Sequence, residues 1–272
     1  MSNYPSRIVC LTEETTEALY LMGEQDRIVG ISGFTVRPPR ARKEKPKVSA
    51  FTSAKIDKII DLKPDLVLGF SDLQADIAAD LARNSIEVHL FNQRSVSEII
   101  RMLRVLAGMI GEPEKGEVLI NSLEENINRI SLLTKELKTK PKVFFEEWDE
   151  PIISGIRWVS ELIEIAGGIE TFPELTVEPL AKNRIIADNK MVIERQPDII
   201  IGSWCGKKFR PEQVAAREGW QEIPAVATGD LYEIKSPLIL QPGPAALTDG
   251  LDQLYETISG WAENQNQRTS SD

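Results

Sequence analysis

The stretch KIIDLKPDLVLGF, from Lys58 to Phe70, is the most informative part of this chain about its fold. A close counterpart, MVIERQPDIIIGS, occupies Met191 to Ser203. In each copy a helical turn leads to Pro-Asp and then to an unbroken apolar run that a glycine closes. Proline cannot continue a helix, and it favours extended backbone at the residue before it. An apolar run without alternation is typical of a strand that is buried on both faces of a parallel sheet. The duplication therefore predicts two α/β lobes.

A long helical pattern separates the two copies. It runs from Glu114 to Lys138 with an apolar stripe along one side, and it stops at Pro141. At ~1.5 Å per residue, roughly 25 residues span nearly 40 Å, which is enough to connect two lobes. We therefore predict two Rossmann-like α/β lobes with parallel-type sheets, joined by one long backbone α-helix. The predicted boundaries are an N-terminal lobe over residues 1–112, a connecting helix over 113–140 and a C-terminal lobe over 141–272.

Composition limits the classes of partner. Hydrophobic residues make up 42% of the chain and charged residues 27%, which is typical of a globular protein. The formal net charge of −10 argues against nucleic acid or an anionic membrane as a partner, because such surfaces attract basic proteins. No apolar run approaches the ~20 residues that span a bilayer. We expect a small-molecule ligand, no nucleic acid and no membrane insertion.

The first residues and the cysteines bear on the cellular compartment. Met1 to Pro5 leads almost directly into a predicted strand, Arg7 to Leu11, which leaves no room for a secretion signal. The expected location is the cytoplasm for the chain as written, or the periplasm if a leader has been removed. Cys10 and Cys205 fall in different predicted lobes, so two free thiols are expected rather than a disulfide.

Several aromatic residues follow predicted strand ends. Ligands of open α/β sheets bind beyond the carboxyl ends of the strands, and aromatic side chains there offer flat apolar surface for a macrocycle or another planar ligand. Alternatively, each ring packs against the core of its own lobe, an interpretation that applies most to Trp158. The predicted ligand-binding aromatics are Phe51, Phe70, Trp148, Trp158 and Trp204.

Basic residues occur near the same strand ends. Arg37 and Arg40 lie in a segment without periodicity, Ser32 to Ser53, whereas Lys207 and Lys208 follow the second repeat. Guanidinium groups bind carboxylate and phosphate in a bidentate manner, so these four residues predict contacts with an anionic ligand group. A solvated basic loop is the alternative. The acidic segment Glu146 to Glu150, expected to be a loop, either pairs with ligand amines or with basic residues, or is a solvated turn.

Cys205 follows a predicted strand end beside Trp204 and Lys207. A nearby cation lowers the pKa of a thiol, so Cys205 is a candidate ligand contact, metal ligand or nucleophile. An inert packing cysteine is the alternative.

Motifs for catalysis or for a resident metal are absent from the sequence. His89 is the single histidine, so a site that holds zinc through several histidines cannot form. The chain has no Ser-His-Asp set, no GxxxxGK[ST] loop and no GxGxxG loop. We expect no metal site, no intrinsic cofactor and no enzymatic activity.

Taken together, the duplicated Pro-Asp strands and the long helix make the chain similar to periplasmic binding proteins of the helical-backbone class, and most similar to the cobalamin and iron-siderophore receptors of ABC importers. The resemblance covers essentially the whole chain. Further matching segments are Arg7 to Val9, Leu19 to Gly23, Ile28 to Gly30, Gly167 to Gly168 and Pro242 to Pro244.

The resemblance implies a cobalamin-like ligand, or another metal chelate or macrocycle, held by aromatic and polar groups in a cleft between the lobes. It also implies an ABC permease that docks on one acidic residue per lobe. Asp76 and Asp188 are the atypical candidates for those acids. The alternative is a cytoplasmic carrier, sensor or enzyme of the same fold that acts on an anionic or corrinoid-like ligand without a permease.

Overall fold

The computed structural model describes residues 3–269, with side chains up to residue 267. The chain divides into two compact units. The first contains residues up to Gln93, Ser97–Leu123 and Pro242–Pro244, and the second contains Arg94–Val96, Glu124–Gln241 and the residues from Ala245 onward.

The first unit contains a five-stranded parallel sheet with the strand order β3-β2-β1-β4-β5. Its strands are β1 (Ile8–Cys10), β2 (Ile28–Ser32), β3 (Lys47–Ser49), β4 (Leu66–Phe70) and β5 (Val88–Phe91). The helices up to the unit boundary are α1 (Glu13–Leu21), α2 (Ala41–Glu44), α3 (Ile56–Asp61), α4 (Ala75–Arg83), α5 (Val96–Met109) and α6 (Pro113–Leu133).

The second unit contains a sheet with the order β10-β9-β6-β7, in which β8 also pairs with β6. Its strands are β6 (Lys142–Asp149), β7 (Ile152–Ser154), β8 (Ile169–Glu170), β9 (Ile199–Gly202) and β10 (Leu231–Glu233). Its helices are α7 (Arg157–Ile165), α8 (Lys190–Arg195), α9 (Pro211–Ala215), α10 (Pro224–Thr228), α11 (Ser236–Ile239) and α12 (Leu251–Thr269), with a π-helical turn at Ala246–Gly250.

The two repeats form equivalent structures in their units, α3–β4 and α8–β9. The aspartate of each Pro-Asp pair joins its strand to a neighbouring strand of the same sheet, β4 to β1 and β9 to β6. Asp65 accepts hydrogen bonds from the backbone N–H groups of Ser6 and Arg7, and Asp198 accepts one from the N–H of Lys142. The prediction of α/β units with parallel sheets is confirmed.

Some details differ from the sequence prediction. Lys63 and Gln196, which precede the prolines, have φ values of 47° and 49°, so their backbone is left-handed rather than extended. The segment Glu146 to Glu150 is mostly strand, because β6 continues to Asp149 and pairs antiparallel with β7. β3 lies inside the segment that was expected to be an aperiodic loop.

The boundary between the units falls within α6, between Leu123 and Glu124. α6 ends at Leu133 and is followed by a 3-10 turn at Thr134–Glu136, so the helix is a little shorter than its apolar stripe indicated. The predicted role of this helix as a connecting backbone, and the predicted domain boundaries, remain predictions.

Each unit has its own apolar core. In the first unit Val9, Val67 and Ile59 are fully buried between the sheet and its helices. In the second unit the core is aromatic: Phe144 makes edge contacts with Phe172 and Trp220. Over residues 3–269, no helix combines the length and the apolar character that a membrane-spanning segment requires.

Candidate functional site

The carboxyl ends of β6 and β9 bring several predicted site residues together in the second unit. The N–H of Ser203, just after β9, donates to the carbonyl of Glu146 in β6 at 2.9 Å. Trp148 lies further along β6, and Trp204 follows Ser203. The sequence therefore placed these two tryptophans correctly at strand ends, although Trp148 lies in a strand and not in a loop.

A buried ion pair fixes Trp204. Its indole Nε1–H donates to Glu146 Oε1 at 3.0 Å. The Arg217 guanidinium donates two hydrogen bonds to the same carboxylate, from Nη1 to Oε2 at 2.5 Å and from Nη2 to Oε1 at 2.8 Å. Burial raises the pKa of Glu146, and the bonds from Arg217 and Trp204 oppose that shift. The Trp204 ring is buried and contacts Phe209 edge-on at 5.0 Å. Trp204 is thus a rigid part of the core at the edge of the site.

Gly202, which closes the second repeat, has to be glycine because the Phe209 ring occupies the place of a side chain. A Cβ atom at this position would lie 1.8 Å from Phe209. The close approach packs the 205–209 segment against the end of β9.

Lys207 lies against both tryptophans. Its Nζ is 4.4 Å from the ring centroid of Trp148 and 5.0 Å from that of Trp204, and it forms an ion pair with Asp149 Oδ1 at 2.5 Å. Trp148 is half-buried, and its Nε1–H donates to the carbonyl of Glu150 at 2.9 Å. The positive charge that was predicted to meet an anionic ligand is neutralised here by Asp149.

Cys205 and Lys208 are exposed on the same segment. Cys205 and the buried Cys10 are both free thiols, as expected. Lys208 interacts electrostatically with Glu233 of β10. Their roles as ligand contacts remain predictions.

Trp158 lies elsewhere in the second unit. It is 3% exposed on α7, and its Nε1–H donates to the carbonyl of Ile239 at 2.8 Å. The structure therefore places it in the core, in agreement with the alternative interpretation given above.

In the first unit Gln74 links Phe51 and Phe70. Its side-chain oxygen accepts from the N–H of Phe70 at 2.9 Å, and its Nε2 donates to the carbonyl of Phe51 at 2.8 Å. Phe70 is buried at the end of β4, whereas Phe51 is half-buried. No local sequence pattern indicated this role of Gln74. A further aromatic at the carboxyl end of β2, Phe34, was missed and is 56% exposed.

The predicted anion-binding arginines have partners within the first unit. Arg37 Nε donates to Glu17 Oε1 at 2.7 Å. Arg40 lies over the Tyr20 ring with its Cζ 4.9 Å from the centroid. These contacts hold the segment between β2 and β3 against α1, and a role in anion binding remains a prediction.

Two buried carboxyl groups at the start of α1 were not identified from the sequence. Burial raises the pKa of Glu13 to about 8, and repulsion from Glu14 and Glu17 adds to the shift. Burial also raises the pKa of Glu14 to about 7, opposed by a hydrogen bond from the Thr12 hydroxyl at 2.6 Å. A pair of acidic residues directly after a buried strand is the signal that could have indicated them.

Among the side chains that the structure describes, residues 3–267, no three His, Cys, Asp or Glu groups lie close enough together to hold a metal ion. The acids proposed for docking, Asp76 and Asp188, are both exposed.

Two α/β units with parallel sheets and aromatic groups at their strand ends define a class of ligand-binding protein. Residues 8–238 match the family model described as periplasmic binding protein. This match covers most of the chain, and the chain therefore belongs to the periplasmic binding protein family.

Individual relatives agree with this assignment. The chain is 26% identical over 268 residues to an uncharacterized ABC transporter substrate-binding lipoprotein, YvrC, of Bacillus subtilis, covering 93% of this chain and 80% of that protein. It is 26% identical over 258 residues to a vitamin B12-binding protein of Vibrio parahaemolyticus, covering 91% and 88%. The periplasmic heme-binding protein RhuT of Roseiflexus sp. RS-1 has the same fold, with a TM-score of 0.78, 22% identity and coverage of 93% and 99%.

The family is one of substrate-binding proteins and not of enzymes. The chain is accordingly a receptor that binds a small molecule, as the duplicated strands and the resemblance predicted.

Proposed function

We propose that this protein binds a corrinoid-like macrocycle or a similar metal chelate at the carboxyl ends of its strands. The observation that carries the proposal is the Trp148 ring. It lies half-buried at the end of β6, is held by its indole N–H and has an ammonium group against its π-face. A planar ligand can stack on such a ring at a gain of about 0.5–1.5 kcal/mol beyond area burial.

The relatives support this class of ligand. One is a vitamin B12-binding protein, and a protein of the same fold binds heme. Corrin and porphyrin rings are both flat macrocycles that chelate a metal, so aromatic stacking suits either one. The ligand brings its own metal, which agrees with the expectation of no intrinsic cofactor.

We also propose that the protein delivers its ligand to an ABC permease and does not act as an enzyme. A relative that aligns with 93% of this chain is an ABC transporter substrate-binding lipoprotein. In that role the protein works in the periplasm or at the outer face of the membrane, and Asp76 and Asp188 are exposed acids that arginines of a permease could contact.

Tryptophan fluorescence tests the ligand class. The protein is titrated with cyanocobalamin, hemin and a ferric siderophore, and at least one of them should quench emission in a saturable manner. Trp148→Leu should weaken that binding roughly tenfold, which corresponds to about 1.4 kcal/mol.

Tyr232→Leu is the matched control, because Tyr232 is a partly exposed aromatic of β10 whose hydroxyl bonds to Asp230. It should leave the affinity unchanged. Equal affinities of wild type and Trp148→Leu for every ligand that binds would remove Trp148 from the site.

A further inference from the structure

The Lys207 ammonium lies in a small enclosure of two indole rings and one carboxylate. Nζ is 4.4 Å from the Trp148 centroid, 5.0 Å from the Trp204 centroid and 2.5 Å from Asp149 Oδ1. Cations within about 6 Å of an indole centroid are attracted by the ring quadrupole, and cages of aromatic rings recognise alkylammonium ligands in this way. We call Trp148, Trp204 and Asp149 the indole cage.

The two indole rings of the cage are held in place by contacts that do not involve Lys207. The Trp204 ring is fixed by its hydrogen bond to Glu146, which Arg217 neutralises, and by the edge contact with Phe209. Trp148 is fixed by its bond to the Glu150 carbonyl and by packing on the aromatic core. The cage is therefore pre-organised and should keep its shape when its occupant leaves.

Lys207 itself is only loosely anchored. Its side chain is 42% exposed. It lies in the segment between Gly202 and Pro211, which forms neither helix nor strand. Gly206, directly before it, has a φ of 80°, and a Cβ there would meet nothing within 4 Å. The lysine side chain can thus swing into solvent without disturbing a packed neighbour.

We propose that the indole cage is a binding site for an organic ammonium group, and that Lys207 occupies it in this structure as an internal substitute. Exchange of one ammonium for another preserves both the ring contacts and the ion pair with Asp149. A neutral group of the same shape would leave that carboxylate, whose side chain is 16% exposed, without a counter-ion.

This inference goes beyond the proposed macrocycle and is tested separately from it. A planar ligand and the Lys207 ammonium compete for the same face of Trp148, so Lys207 has to leave in either case. The indole cage is proposed to bind a positively charged ammonium group, whereas the macrocycle is proposed to stack on Trp148. If choline does not bind, the stacking proposal is unaffected.

The test is a choline titration that follows tryptophan fluorescence. Wild-type protein should bind choline weakly, because the tethered lysine competes. Lys207→Ala should bind choline about tenfold more tightly than wild type. Adding Asp149→Asn to Lys207→Ala should lower the affinity again. The neutral isostere 3,3-dimethylbutan-1-ol should not bind to either protein.

Lys235→Ala is the matched control, since it removes an exposed lysine that forms an ion pair with Glu233. It should behave as wild type toward choline. Lys207→Ala leaves the largely buried Asp149 carboxylate without its counter-ion, so its thermal midpoint should fall below that of wild type and rise when choline is added. The proposal is overturned if Lys207→Ala binds choline no better than wild type, or if the neutral isostere binds as well as choline.

Discussion

Buried carboxyl groups shape the electrostatics of this protein at the scale of single residues. Glu13 and Glu14 are 5% and 1% exposed at the start of α1, directly after a buried strand. Glu17, one turn further along, has the Arg37 guanidinium as its partner. The pKa of Glu13 is raised more than that of Glu14, because burial and the neighbouring acids Glu14 and Glu17 all oppose its ionisation.

The raised pKa of Glu13 predicts a specific pH dependence of stability. A carboxyl group whose pKa rises from 4.5 to about 8 on folding binds more protons in the folded state between those values. The free energy of unfolding should therefore fall as pH rises from about 4.5 to about 8. Glu13→Gln removes this effect, so the variant should gain stability relative to wild type across the window, on the order of a few kcal/mol at its upper end. Urea unfolding at several pH values measures it.

Glu125→Gln, at an exposed position of α6, controls for the substitution itself. A stability difference between Glu13→Gln and wild type that stays constant from pH 5 to pH 8 would contradict the assignment of a raised pKa to Glu13.

The positions of Trp148 and Trp204 at strand ends could be predicted from the sequence, but the partners of these residues could not. Trp148 and Trp204 were placed at strand ends because strand ends follow from local pattern. The ion pair that fixes Trp204 joins Glu146 to Arg217, 71 residues apart, and no local signal connects them. The partners of Lys207 were likewise not predictable. Its charge alone indicated an anionic ligand, whereas in the structure Asp149 and the two indole rings surround it.

At the scale of elements, the repeated Pro-Asp strands were the most predictable feature. β4 and β9 have the apolar runs and the closing glycines that the repeat indicated. The strands β3 (KVS), β7 (IIS) and β8 (IE) were missed because none of them contains three consecutive apolar residues, unlike the equally short β1. Their strand geometry comes from pairing with neighbours already in the sheet.

The contact between α5 and α6 depends on a glycine. Gly116, in the first turn of α6, faces Ala107 of α5 so closely that a Cβ would lie 2.3 Å from the Ala107 Cβ. Gly116→Ala should therefore destabilise the protein by about 1–3 kcal/mol, although alanine is the better helix former. Chemical denaturation of variant and wild type gives the difference.

Gly108→Ala is the matched control on the same pair of helices. A Cβ at Gly108, on the exposed side of α5, would meet nothing within 4 Å, so this variant should be stabilised by up to about 1 kcal/mol. If both variants change the stability in the same direction, the close approach of the two helices is not what requires Gly116.

At the scale of the whole molecule, the internal duplication predicted two α/β units, and together with the long helix it carried the resemblance to the family. The chain matches the periplasmic binding protein model over residues 8–238. Ligand identity was not predictable in the same way, because the residues that make the fold are buried strands and turns. The side chains at strand ends, which we propose to contact the ligand, are arranged by contacts between distant parts of the chain.

Retention of a ligand from a mixture tests whether the protein is a receptor for a macrocyclic or chelated metal compound. The protein is incubated with equal amounts of cyanocobalamin, hemin, a ferric siderophore and, as competitors that carry no bound metal, amino acids and sugars. It is then re-isolated by gel filtration and analysed by mass spectrometry. We expect one macrocyclic or chelated metal compound to be retained per chain. Retention of an amino acid or a sugar, or of none of the compounds, would contradict it.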